Sequence, residues 1–237
     1  MRKILITNDD GILADGLIRL AAVAVKYGEV WIAAPESQRS AMSHSITLRE
    51  SFDAWEADFP VAGVHAFACT GTPADCVRVG VLNLVPGKPD TVFSGINYGY
   101  NLATDLQYSA TVGAAFEAAF QGIHTVAFSE HAGDCHKVTD RYLDEIVREL
   151  IDEPLGKNEI HNVNFPGCPL SECRGIIRGT VVSDDVFYLD SYSEKLSPDG
   201  RMTFTVVGER RWEAAGGTDL RAVLDNYVSV GKAKNIT

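Results

Sequence analysis

Two periods of apolar and polar positions alternate along the first two thirds of the chain. The runs "KILITN", "EVWIAAP", "GVHAFAC", "DTVFSGIN" and "IHTVAFSE" are short and mostly apolar, as strands buried on both faces are. Between them lie longer stretches with apolar residues three and four apart. These are "LIRLAAVAVKYG", "TGTPADCVRVGVLNLV", "SATVGAAFEAAFQG" and "VTDRYLDEIVRELI", and each predicts a helix. Gly28 and Gly122 supply two of the stops, and Thr72, Pro73 and Asp75 spell a capping-box start. "HSITLRESF" alternates with period two and predicts a half-exposed strand or hairpin arm. Strands spaced by helices of this length require right-handed crossovers, so the expected fold is α/β, a mostly parallel sheet covered by helices.

From about Gly175 the texture changes. "GIIRGTVV", "DVFYLDSYSEKL" and "RMTFTVVGERRWEA" predict antiparallel strands and hairpins, with "SPDG" as a turn. A short helix at "TDLRAVLDN" and a strand at "YVSVG" follow. We expect residues 1–174 to form the core, with 175–237 a hairpin-rich extension of the same domain. Extended hairpins leave edges that need cover, which points to self-association.

Composition narrows the function. With 237 residues, 46% apolar and 22% charged, the chain is expected to be a soluble globular protein. No window reads as a transmembrane span, and "MRKILITNDDG" lacks the small-residue cleavage site of a signal peptide. The net charge of −11 argues against binding a nucleic-acid polymer through a broad basic surface. A small anionic ligand stays possible where positive charge is supplied locally. Five scattered cysteines without a CxxC predict free thiols in a reducing cytoplasm rather than a zinc site from Cys135, His136, Cys168 and Cys173.

The chemistry gathers where strands end, which is where parallel sheets bind ligands. The first strand delivers Asn8, Asp9, Asp10 and Gly11, and the second leads into "ESQRSAMSH". Another ends in "SGINYGYN" and runs on to the helix start "SAT". Asp9, Asp10 and Asn97, with Ser40 adding a hydroxyl, form an oxygen donor set suited to Mg²⁺, Mn²⁺ or Ca²⁺. Both aspartates can share one ion only if the chain bends, and Gly11 permits the bend. A divalent ion would neutralise the two carboxylates and admit a phosphate dianion. Ser109 and Thr111 open a helix whose free N–H groups favour that anion, and Gly95, Gly99 and Asn101 lie in a loop able to approach it. The class implied is metal-assisted phosphoryl transfer to water. Each motif also has a plain structural reading: Asp-Asp-Gly is a common turn, Ser109 an N-cap, Met42 and His44 loop packing. Only their joint placement at successive strand ends favours chemistry.

Other phosphate chemistries fail on their motifs. There is no GxxxxGK[ST], "GILADG" lacks GxGxxG spacing, and GxSxG is absent. A phosphoaspartate enzyme of the haloacid dehalogenase type would need an acid where Asn8 stands. A response-regulator receiver would need an aspartate where Ser94-Gly95 stands, on a chain about half as long.

"ILITNDDG", "APESQRSAMSHSITL", "GTPADCV", "SGINYGYN", "YSATVGAAFE" and "NVNFP" closely resemble, in order and spacing, the survival protein SurE family. The resemblance covers almost the whole chain. It implies a Rossmann-like core, a C-terminal extension exchanged between subunits of a homodimer or homotetramer, and one divalent ion, Mg²⁺ or Mn²⁺, per subunit. The implied activity is hydrolysis of nucleoside 5′- and 3′-monophosphates, with short polyphosphate cleaved by some members. Position by position, it implies metal ligation by Asp9, Asp10, Ser40 and Asn97, with Asp9 and Asp10 catalytic. Phosphate is placed near Asn8, Gly95, Asn101, Ser109 and Thr111. Ala110 stands where the family commonly has glycine, and the chain closes on "YVSVGKAKNIT" where a "TPL"-like segment often follows. A nucleotide-binding regulator without turnover is the alternative.

Overall fold

The computed structural model describes residues 1–235. The first half runs β1 (Lys3–Thr7), α1 (Asp15–Ala24), β2 (Glu29–Pro35), β3 (Ala54–Glu56), β4 (Val64–Cys69), α2 (Pro73–Val79) and β5 (Thr91–Tyr98). It continues through α3 (Ala110–Phe120), β6 (His124–Glu130), α4 (Lys137–Leu150) and β7 (Glu159–Phe165). The tail forms β8 (Ile176–Thr180), β9 (Tyr188–Leu189), β10 (Tyr192–Leu196), β11 (Met202–Val206), β12 (Glu209–Arg210), α5 (Asp219–Leu224) and β13 (Val228–Lys234).

Nine strands form one sheet in the order β3-β4-β2-β1-β5-β6-β7-β13-β8. From β4 to β7 every pair is parallel, while β3 and β13 join antiparallel to their neighbours β4 and β7. The continuous apolar runs follow from burial on both faces. Ile4 and Ile6 pack with Leu17 and Leu20 of α1 and with Ile146 and Leu150 of α4. Leu5 on the other face packs with Val77 and Val81 and with Ala114 and Ala118 of α3. The sheet is thus an α/β layer covered on both sides, with extra strands at its C-terminal end.

Local chemistry fixes the helix starts. Thr72 and Asp75 make both halves of the capping box, and the Ser109 hydroxyl accepts the N–H of Val112 to cap α3. Two sequence expectations need correcting. Residues 44–52 form no strand, because side chains around the start of α2 take up the backbone groups a strand would need. Asp75 accepts the N–H of Thr47 at 3.0 Å, and the Thr72 hydroxyl donates to the carbonyl of Ser45 at 2.7 Å. The tail is also not purely antiparallel, since β8 pairs parallel to β13 at the edge of the main sheet.

The hairpin β10–β11 projects from this body. Its register pairs Tyr192 with Val206, Glu194 with Phe204 and Leu196 with Met202, so these six residues share one face. All are exposed, and all but Glu194 are apolar.

Candidate active site

The order of strands reverses at β1, whose neighbours are β2 on one side and β5 on the other. Such a switch point leaves a crevice beyond the carboxyl ends of its strands. Asp9 follows β1 there, and Asn97 stands near the end of β5. Gly11, at φ 105°, turns the chain in a conformation costly for a side-chain-bearing residue.

Asp9 is buried, and the Thr111 hydroxyl donates to its Oδ1 at 2.7 Å. Burial nevertheless raises the Asp9 pKa to about 7, with the charge of Asp10 adding to the rise. The groups that oppose the rise are hydrogen-bond donors, with no cationic side chain among them. Asp10 accepts the N–H of Tyr98 at 2.9 Å. Its pKa is also raised, chiefly by burial.

Asn97 donates through Nδ2 to the carbonyl of Gly99 at 2.8 Å, and its Oδ1 lies 3.5 Å from the Thr111 hydroxyl. One hydroxyl therefore stands between the oxygens of Asp9 and Asn97. Ser40 is exposed, next to Arg39, whose N–H donates to the Asp9 carbonyl at 2.7 Å. Among the described residues no three His, Cys, Asp or Glu side chains gather as a metal site, so an ion here would need amide, hydroxyl or water oxygens as well. The residues present fit a hard divalent cation, being oxygen donors around two uncompensated carboxylates.

The remaining predicted residues have distinct placements. Asn8 is buried, donates to the carbonyl of Gly11 at 2.9 Å, and leaves its own Oδ1 without a partner. Ser109 caps α3, which leaves its hydroxyl proton free to donate outward. Gly95 serves packing: a Cβ there would come within 2.3 Å of the Phe128 carbonyl. Asn101 clamps the rim, its amide donating to the Ser129 hydroxyl at 2.8 Å and its carbonyl accepting from Asn162 and Asn164.

Several supporting residues escaped sequence reasoning. Ser94 donates to the Thr111 carbonyl at 2.7 Å and ties α3 to β5. Asn162 and Asn164 sit on β7, where "NVN" inside a buried strand was the signal to follow. Beside Asp10, a cavity of about 250 Å³ is bounded by Tyr98, Glu130 and His136. Glu130 is held there by Arg19 and by the Thr139 hydroxyl.

A family model described as "Survival protein SurE" matches residues 4–185. The chain belongs to the SurE family. A SurE relative from Clostridium botulinum, named 5′-nucleotidase SurE, is 36% identical over 232 residues, 96% of this chain and 91% of that protein. Another of the same name, from a Thermoanaerobacter species, is 34% identical over 96% of this chain and 90% of its own length. The crystal structure of the SurE protein from Aquifex aeolicus superposes with a TM-score of 0.84 at 32% identity, covering 99% of this chain and 94% of that one. The residues matched by the family model include all the candidate residues from Asn8 to Thr111.

Proposed function

We propose that this SurE chain is a divalent-metal-dependent phosphomonoesterase that hydrolyses nucleoside 5′- and 3′-monophosphates to nucleoside and phosphate. The observation that carries this reading is the oxygen cluster of Asp9, Asp10 and Asn97 set against the first turn of α3. The names of its relatives, 5′-nucleotidase SurE, support the same class.

Asp9, Asp10 and Asn97, with Ser40 from the neighbouring loop, would hold Mg²⁺ or Mn²⁺. The bound ion supplies charge compensation and polarises a phosphoryl oxygen. The chain's own groups do the rest. Thr111 orients Asp9, and the Tyr98 N–H orients Asp10. The Ser109 hydroxyl and the N–H groups opening α3 donate to the phosphoryl oxygens as charge builds on them. Asp10 is less buried than Asp9 and borders the cavity, so it positions the attacking water and receives its proton. Water adds to phosphorus as the ester P–O bond breaks, the proton taken by Asp10 passes to the leaving oxygen, and the products are the nucleoside and inorganic phosphate.

The exposed apolar face of the β10–β11 hairpin suits a second copy of this chain, and we assign residues 175–237 as the extension that builds a homodimer or homotetramer. All five cysteines are free thiols, as a reducing cytoplasm favours, and no helix among the described residues is long and apolar enough to cross a membrane.

The test is phosphate release from 5′-AMP, 3′-AMP and an aryl phosphate with Mn²⁺ or Mg²⁺, with and without chelator. Metal-dependent release that Asp10→Asn abolishes is the expected result. Nucleotide binding with no release from any substrate would establish the regulator instead.

A further inference from the structure

A second cavity, of about 140 Å³, lies near the same rim and is walled by Tyr100, His131, Phe187, Arg210 and Trp212. Aromatic rings form one part of its wall, and Pro166, Gly167, Cys168, Val223, Leu224 and Asn226 the rest. Tyr100 meets Phe187 edge to face at 6.1 Å and His131 at 5.5 Å between centroids. Phe187 is buried, whereas Trp212 keeps 72% of its surface exposed, an unusual placement for so large a ring.

Arg210 and Tyr100 offer donors to it, beside the mixed groups of His131 and Asn226. Arg210 has no ion-pair partner among the described residues, although the adjacent Arg211 is paired with Asp185. The Tyr100 oxygen accepts the N–H of Gly167 at 2.9 Å, which leaves its proton to donate. Burial pushes the Tyr100 pKa up to about 12, so that proton stays in place at neutral pH. No carboxylate borders the cavity.

Two chain connections link this cavity to the proposed phosphate site. Tyr100 lies two residues beyond Tyr98, whose N–H holds Asp10, a span of about 7 Å of extended chain. His131 directly follows Glu130, whose carbonyl accepts the Gly99 N–H at 2.9 Å. The sugar of a nucleotide joins its phosphate to its base, as these two chain connections join the acids to the rings.

We infer that this aromatic slot is the nucleobase subsite, with Tyr100 and Trp212 stacking on the base and Arg210 donating to its carbonyl or ring-nitrogen acceptors. The inference rests on the nucleotidase reading and makes Trp212 and Arg210 determinants of substrate choice. Stacking on aromatic rings is tolerant of base identity, and removing one such ring costs about 1–3 kcal/mol, or about 5- to 150-fold in affinity.

The experiment compares kcat/KM for GMP and for ribose 5-phosphate, which carries the same sugar and phosphate without a base. Wild-type protein is expected to favour GMP by about 10-fold or more, through KM rather than kcat, and Trp212→Ala to bring the ratio toward one. Guanosine, which has no phosphate, should quench tryptophan fluorescence in the wild type and much less in Trp212→Ala. Equal kcat/KM for the two substrates in the wild type, or a ratio unmoved by Trp212→Ala, overturns the subsite. Since quenching needs no turnover, guanosine binding without hydrolysis would keep the slot while refuting the phosphatase. Hydrolysis of both esters with no quenching would do the reverse.

Discussion

The Thr111 hydroxyl lies 2.7 Å from Asp9 Oδ1, joining the first turn of α3 to the end of β1 across more than a hundred residues of sequence. The same hydroxyl is 3.5 Å from Asn97 Oδ1, so it fixes the spacing of two proposed ligands without needing to touch an ion itself. Thr111→Val keeps the shape and removes this donor. A hydrogen bond to a charged group is worth about 1.5–3 kcal/mol, so kcat/KM is expected to fall by about 10- to 100-fold. Circular dichroism should stay unchanged. Wild-type activity in this variant would refute the orienting role.

Asp9 also predicts how the metal-free protein responds to pH. Its folded-state pKa is about 7 against an ordinary value of 3.8. Between these values the folded chain holds a proton that the unfolded chain has released, so stability falls as pH rises through the window and levels off above it. In chelator, the wild-type Tm should drop from about pH 5 to about pH 7.5 more than that of Asp9→Asn. Manganese should restore wild-type Tm at the higher pH. Parallel pH profiles for the two proteins would show that Asp9 ionises normally.

Gly16 is where α1 rests on β5. A Cβ there would come within 2.1 Å of the Ile96 carbonyl, one residue before Asn97. Gly16→Ala must push the helix and the strand end apart. It should cost about 1–3 kcal/mol in denaturant unfolding, as overpacking does, and lower metal-supported turnover. A variant with wild-type stability would mean the junction is looser than the structure implies.

The hairpin face should respond to charge. Phe204→Asp places a second carboxylate on this face, directly opposite Glu194 and amid Tyr192, Leu196, Met202 and Val206. Light scattering should report a smaller assembly for the variant than for the wild type. An unchanged mass would remove this face from the subunit interface.

The strand ends and helix caps were readable in the sequence because local chemistry decides them. Asp9-Asp10-Gly11 marked the bend, and Thr72, Asp75 and Ser109 announced their caps before any fold was known. Residues 44–52 misled because alternation reports only which side chains are apolar. Asp75, nearly thirty residues away, captures the Thr47 backbone that a strand would have used. The role of Asn101 was equally hidden, since its partners Ser129, Asn162 and Asn164 arrive from β6 and β7. Long-range partnerships of this kind leave no local pattern.

The excursion from Val181 to Tyr227 leaves from β8 and returns into β13, two strands paired side by side in the main sheet. Their bases are pinned by the Thr180 and Ser229 hydroxyls, 2.9 Å apart. Arg210 and Trp212 ride on this excursion, whereas Tyr100 and His131 belong to the rim that carries the acids. Pivoting the outer part of the arm toward a neighbouring subunit would break no ladder bond of the nine-stranded sheet. Substrate choice and ester cleavage thus sit on separately adjustable parts, and the arm could be recut to read another base while the acids at the switch point went on unaltered.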